Sequence, residues 1–78
     1  MIRVTIRLQD ETEYTTDGVV RVTQLVPGCG GKDVAKSASG GEILHFQFVP
    51  WRTTIVEGKT KVFSVDPLKI ASIEAELI

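Results

Sequence analysis

Cysteine, histidine, tryptophan and tyrosine each occur once in this 78-residue chain, and proline occurs three times. No stretch approaches the roughly 18 consecutive apolar residues that a membrane-spanning helix needs. Each shortage excludes something. The lone Cys29 has no partner for an internal disulfide, and one cysteine with one histidine cannot supply the usual zinc ligand set. Nine basic against ten acidic residues leave a formal charge of −1, so no overall field gathers phosphates or anionic lipid. The opening "MIRVTIRL" alternates apolar with polar residues and lacks the continuous apolar core of a secretory signal. These features predict a soluble, cytoplasmic chain without a membrane partner.

What is present is ordinary globular material, 42 % hydrophobic and 24 % charged, too apolar for disorder. Residues 1–78 are read as a single domain. A chain this short buries only about 60–65 % of the surface its unfolded form exposes, which leaves a thin margin of stability.

Alternation dominates the pattern. Ile2, Val4, Ile6 and Leu8 point one way and Arg3, Thr5 and Arg7 the other, the period of a half-buried strand. "QDET" supplies turn chemistry, Glu13–Thr16 is extended, and Asp17-Gly18 reads as a hairpin turn leading into "VVRVTQLV". There Val20 and Val22 share one side, and Val19, Arg21, Thr23 and Leu25 the other. "EILHFQFVPW" alternates as well, predicting core positions for Leu44, Phe46 and Phe48 and an outer face for Ile43, His45, Gln47 and Val49, with Pro50 ending the strand. Two β-branched runs around Glu57 and Gly58 predict another hairpin, with Phe63 and Val65 inside.

At the C-terminus Asp66-Pro67 is also a good helix start, so an α+β fold with a helix over 67–77 is the alternative. Ala71, Ile73, Ala75 and Leu77 alternate with Ser72, Glu74 and Glu76, however, and this favours one tight turn at Pro67–Lys69 followed by a final strand. Arg3 and Arg7 would then face Glu74 and Glu76 across an antiparallel pair, helping to fix register. The predicted fold is all-β: a closed or nearly closed small barrel of five or six short antiparallel strands, of Sm-like, Src-homology or oligonucleotide-binding type in architecture alone.

The glycine-rich stretch 27–42, "PGCGGKDVAKSASGGE", is long for a connection in a compact domain and predicts a mobile arm that orders on contact with a partner. It is not a phosphate-binding loop. Val26 stands where the first glycine belongs, and Asp33 follows Gly31-Lys32 where serine or threonine is needed. A covalent mechanism would need Cys29, His45 and Asp33 to converge, but the plain reading of Cys29 is an exposed thiol in a loop and that of His45 a surface residue. The carboxylates at Asp10, Glu11, Glu13, Glu74 and Glu76 read as a solvated turn and a charged face. No catalysis, metal or cofactor is predicted.

Binding is the better prospect. Trp51 and Arg52, followed by Lys59 and Lys61, mix an aromatic platform with cations that could stack bases or anchor a protein. The plain alternative is a core tryptophan covering the barrel mouth. Apolar residues on second strand faces, among them Val19, Leu25, Ile43 and Val49, suggest that a neighbour covers some outer surface. The expectation is a non-enzymatic interaction module, self-associating and binding a protein partner. Trp51, Arg52, Lys59, Lys61, Cys29, Lys32 and Lys36 are its candidate contact residues, and single-stranded nucleic-acid binding through Trp51, Arg52, Lys59 and Lys61 is the alternative.

Overall fold

The computed structural model describes all residues, Met1–Ile78. Seven strands form two antiparallel sheets. The first strand, β1 (Ile2–Leu8), follows its alternation: Ile2, Val4, Ile6 and Leu8 are buried, with Val4 and Ile6 fully enclosed. It turns through Leu8–Thr12, where the Asp10 carboxylate accepts the Thr12 amide at 3.0 Å and Glu11 takes a left-handed φ of 72°. β2 (Glu13–Asp17) then returns along it.

Gly18 carries the chain from one sheet to the other at φ 70°, a region that costs a side chain strain. It is a corner and not the hairpin turn that Asp17-Gly18 predicts, because β3 (Val19–Pro27) pairs with later strands and not with β2. A register shift between Val19 and Arg21 turns Val19 into the core together with Val22, leaving Val20 exposed.

Stretch 27–42 differs most from expectation. Cys29–Gly31 forms one 3-10 turn, and Asp33–Ser39 is a strand, β4, paired with β3 along its length from Pro27–Asp33 to Arg21–Ser39. The hairpin closes tightly at Gly28, whose amide donates to the Lys32 carbonyl at 2.8 Å; a Cβ there would meet that same oxygen at 2.7 Å. Gly40 at φ 56° then bends the chain into a 3-10 segment, Gly40–His45. The predicted strand here does not form, and the parity reverses: Ile43 is fully buried while Leu44 is exposed. Phe46 and Phe48 do pack against the core, their rings tilted with centroids 4.9 Å apart.

β5 (Thr54–Gly58) and β6 (Val62–Val65) form the expected hairpin, and Phe63 and Val65 lie half-buried against the core. Asp66 accepts the Leu68 amide at 3.0 Å, Pro67–Lys69 makes one 3-10 turn, and β7 (Ile70–Leu77) follows. The helical alternative for 67–77 is thereby excluded.

The sheet orders are β2-β1-β7 and β4-β3-β5-β6. The two chain ends do pair, β1 with β7, but no closed barrel results, because β2, β7, β4 and β6 remain edges. One apolar cluster joins the sheets: Ile2, Val4, Ile6 and Leu8 with Ile70 and Ile73 from one, Val19, Val22, Ala38 and Val56 from the other, and Ile43 between them. Only 13 of 78 residues are buried, so each core side chain carries a large share of the stability.

The predicted charge pairing is present but secondary. Arg3 lies opposite Glu76 with 3.9 Å between charged atoms, while its guanidinium donates to both Asp17 oxygens at 2.7 and 3.2 Å. Arg7 donates to Glu13 at 2.9 Å and faces Ser72, not Glu74. No helix is long and apolar enough to cross a membrane.

Candidate functional site

The buried amide of Gln24 organises one end of the larger sheet. Its side chain, 1 % exposed, sits on the inner face of β3 beyond the apolar core. Its Oε1 accepts the Val49 amide at 3.0 Å, and its Nε2 donates to the Val49 carbonyl at 3.0 Å and to Thr54 Oγ1 at 2.8 Å. The Thr54 hydroxyl in turn donates to the Arg52 carbonyl at 3.1 Å. A polar side chain this buried is tolerated because its hydrogen-bonding groups are used. The effect is to fasten the irregular segment 46–53 across the end of β3, and Trp51 is held on that segment.

Trp51 is 67 % exposed, so it does not cover a barrel mouth. Arg52 beside it is half-buried, and its Nε has no hydrogen-bond partner. Leu25 donates to the Thr53 carbonyl at 3.0 Å, which sets Trp51 and Arg52 level with the last residues of β3. On the other side of those residues runs β4, with Val34 opposite Val26 and Asp33 opposite Pro27. Trp51, Arg52, Cys29 and Lys32 thus share one end of the four-stranded sheet, with Lys36 further along at the middle of β4, and Cys29, Lys32, Val34 and Lys36 are all exposed.

Lys59 and Lys61 do not join them. They flank the β5–β6 turn at the far end of β5, beside Thr15–Gly18. At about 3.3 Å per strand residue they lie roughly 20 Å from Arg52. Cys29, His45 and Asp33 do not converge either. His45 lies beside Gln24 and Lys36, four strand residues or roughly 13 Å from the hairpin tip, and no group of three histidine, cysteine or acidic side chains is placed to hold a metal.

The free edge of β4 is a feature that the sequence reading, which took 27–42 for a connection, does not contain. β4 pairs only with β3, so its other side presents unpaired backbone groups at alternate residues. Pro27 has no amide to give, and the Leu25 amide is committed to Thr53. By the alternation of antiparallel ladders, the outward-pointing amides and carbonyls belong to Asp33, Ala35, Ser37 and Ser39, and of these the Ser39 amide is already taken by Glu42 Oε1 at 3.4 Å. Three of these four side chains are small and uncharged.

No protein-family model, curated protein or solved structure matches the chain.

Proposed function

We propose that this protein is a non-enzymatic interaction module that self-associates and binds protein through the end of the larger sheet formed by Trp51, the β3–β4 hairpin and the free edge of β4. The observation that carries the reading is Trp51, 67 % exposed yet held on a segment fixed by a buried amide. A large aromatic on a rigid mount is the kind of anchor that dominates protein interfaces. Beside it, β4 lacks the usual protections of an edge strand: it has no proline, and a single lysine, Lys36, with one acid, Asp33. The other edges are better guarded. β2 carries Glu13 and Asp17, β6 has four residues and ends at Asp66-Pro67, and β7 carries Glu74 and Glu76.

Single-stranded nucleic acid is the second reading, favoured by Arg52 beside Trp51 and by Lys32 and Lys36 across β3 on the same half of the larger sheet. The distance of Lys59 and Lys61 from that cluster weakens it, since phosphate contacts act along one continuous track.

Light scattering coupled to gel filtration over rising concentration tests the proposal. The wild-type chain is expected to shift towards a dimer, and Trp51→Ala, which removes no buried contact, to remain a monomer of unchanged stability. A wild-type chain that stays monomeric at the highest attainable concentration contradicts self-association. Salt-sensitive quenching of Trp51 by an oligonucleotide in that monomer transfers support to the second reading.

A further inference from the structure

The opposite edge of the smaller sheet carries a separate site. β7 pairs only with β1, and the Ile78 amide donates to the Met1 carbonyl at 3.0 Å. Alternation from that bond assigns Glu76, Glu74 and Ser72 to the ladder with β1, consistent with the Leu8 amide turning the other way to Thr12. The free edge therefore belongs to Ile73, Ala75 and Leu77.

A groove of about 350 Å³ runs between β7 and the segment 43–48, with Leu44, Phe46 and Phe48 on its apolar wall and Thr5, Glu74 and Glu76 on its polar border. Glu74 and Glu76 are both exposed. Glu74 faces Thr5 with no ion-pair partner within 4.0 Å, and Glu76 is only loosely held because Arg3 is engaged by Asp17. A strand added here meets the apolar wall of Leu44, Phe46 and Phe48 with one set of side chains and, at the border of the same groove, two under-neutralised carboxylates with the other. β1 shows on the opposite side of β7 what such a neighbour looks like: apolar residues inward, arginines outward.

We infer that the free edge of β7 is a peptide-binding site for an extended segment of another protein in which apolar residues alternate with lysine or arginine. Main-chain bonds to Ile73, Ala75 and Leu77 supply the attachment, the Phe46–Phe48 groove takes the apolar side chains, and Glu74 and Glu76 select the basic ones. The site is distinct from the Trp51 surface, which lies on the other sheet, and does not depend on it.

The probe is the capped peptide Ac-VRVRVRV-NH2, titrated into the isotope-labelled full chain with Ac-VEVEVEV-NH2 as control. Saturable binding below about 1 mM is expected, with amide exchange slowed at Ile73, Ala75 and Leu77 and unchanged at Ser72, Glu74 and Glu76, which are already bonded to β1. Glu74→Gln with Glu76→Gln should weaken binding roughly 3- to 10-fold, as the loss of two cross-strand charge pairs implies. Leu44→Asp at the exposed groove wall should weaken it as well, and Trp51→Ala should leave it unchanged. Equal binding of the acidic peptide, no saturation at 1 mM, or binding that leaves the three edge amides unprotected overturns the proposal. So does protection of those amides with rising protein concentration and no peptide, which would make a second copy the occupant.

Discussion

Gln24→Leu separates hydrogen bonding from packing at the point where the Trp51 segment is fastened. Leucine has nearly the volume of glutamine, so the site stays filled, but three hydrogen bonds are lost and the Val49 amide, the Val49 carbonyl and Thr54 Oγ1 each lose a partner. Each lost bond is worth about 0.5–1.5 kcal/mol, and a buried polar group left unpaired costs about 1–3 kcal/mol. Half-burial at Val49 lets water recover part of this, so the expected loss is about 2–4 kcal/mol. A chain of this length has only about 4–12 kcal/mol in total. Urea unfolding followed by far-UV circular dichroism reads the change; Trp51 fluorescence is a poor reporter of unfolding because that ring is already exposed in the folded state. The measured loss should be close to that of Gln24→Ala. A Gln24→Leu variant within about 0.5 kcal/mol of wild type would show that packing holds the segment, and the reasoning about the mount of Trp51 would fail.

Three further outcomes follow from local geometry. Glu11→Gly relieves the left-handed backbone at φ 72° and should raise stability by about 0.5–1 kcal/mol; an unchanged or lower urea midpoint would contradict this. Asp17 is held below the ordinary carboxylate value of 3.8, chiefly by its hydrogen bond from Arg3 and then by the charge of that guanidinium, and Asp10 is held below the same value chiefly by the Thr12 amide. Both groups favour the fold fully above pH 3.8 and lose that contribution as pH falls through their lower folded values, so stability should decline below about pH 4, less steeply in Asp17→Asn. Matching acid-unfolding profiles for Asp17→Asn and wild type would refute the assignment to Asp17. Ile43→Ala empties a fully enclosed position between the sheets and should cost about 2–5 kcal/mol, a large part of the total, whereas Leu44→Ala, at a position 36 % exposed, should cost no more than about 1 kcal/mol.

The strands that were legible in the sequence are those with one buried face. β1 puts apolar side chains on the core at every second position, β7 does so only at Ile73 and Ala75, because a register shift turns Ile70 inward in place of Ala71 and Leu77 is exposed, and Asp66-Pro67 supplied both the capping oxygen and the fixed φ for a single turn. β4 left no such trace. Its only buried side chain is Ala38, and as an edge strand its other positions are free to be small or polar, so Asp33–Ser39 resembles a linker in composition. Asp17-Gly18 announced a positive φ correctly, but a local dipeptide cannot say which strands it joins. Ile43 was misplaced because period-two counting assumes a strand, and the Gly40 bend converts the same residues to a 3-10 segment with a different period. At the candidate site, the aromatic and the cations were visible as residue types. Their separation was not: the length of β5 keeps Lys59 and Lys61 away from Trp51, while the unforeseen β4 brings Lys32 and Lys36 towards it.

An interface built from the Trp51 end and the β4 edge together would cover the free backbone groups of β4. Residue-resolved amide exchange along β4, measured in dilute and in concentrated protein, tests it most directly. The amides of Asp33, Ala35 and Ser37 should exchange fast in dilute solution and slow as concentration rises, while those of Val34, Lys36 and Ala38, bonded to β3, stay slow throughout. Fast exchange at the first three that is independent of concentration, in a wild-type chain and in Trp51→Ala alike, would contradict it.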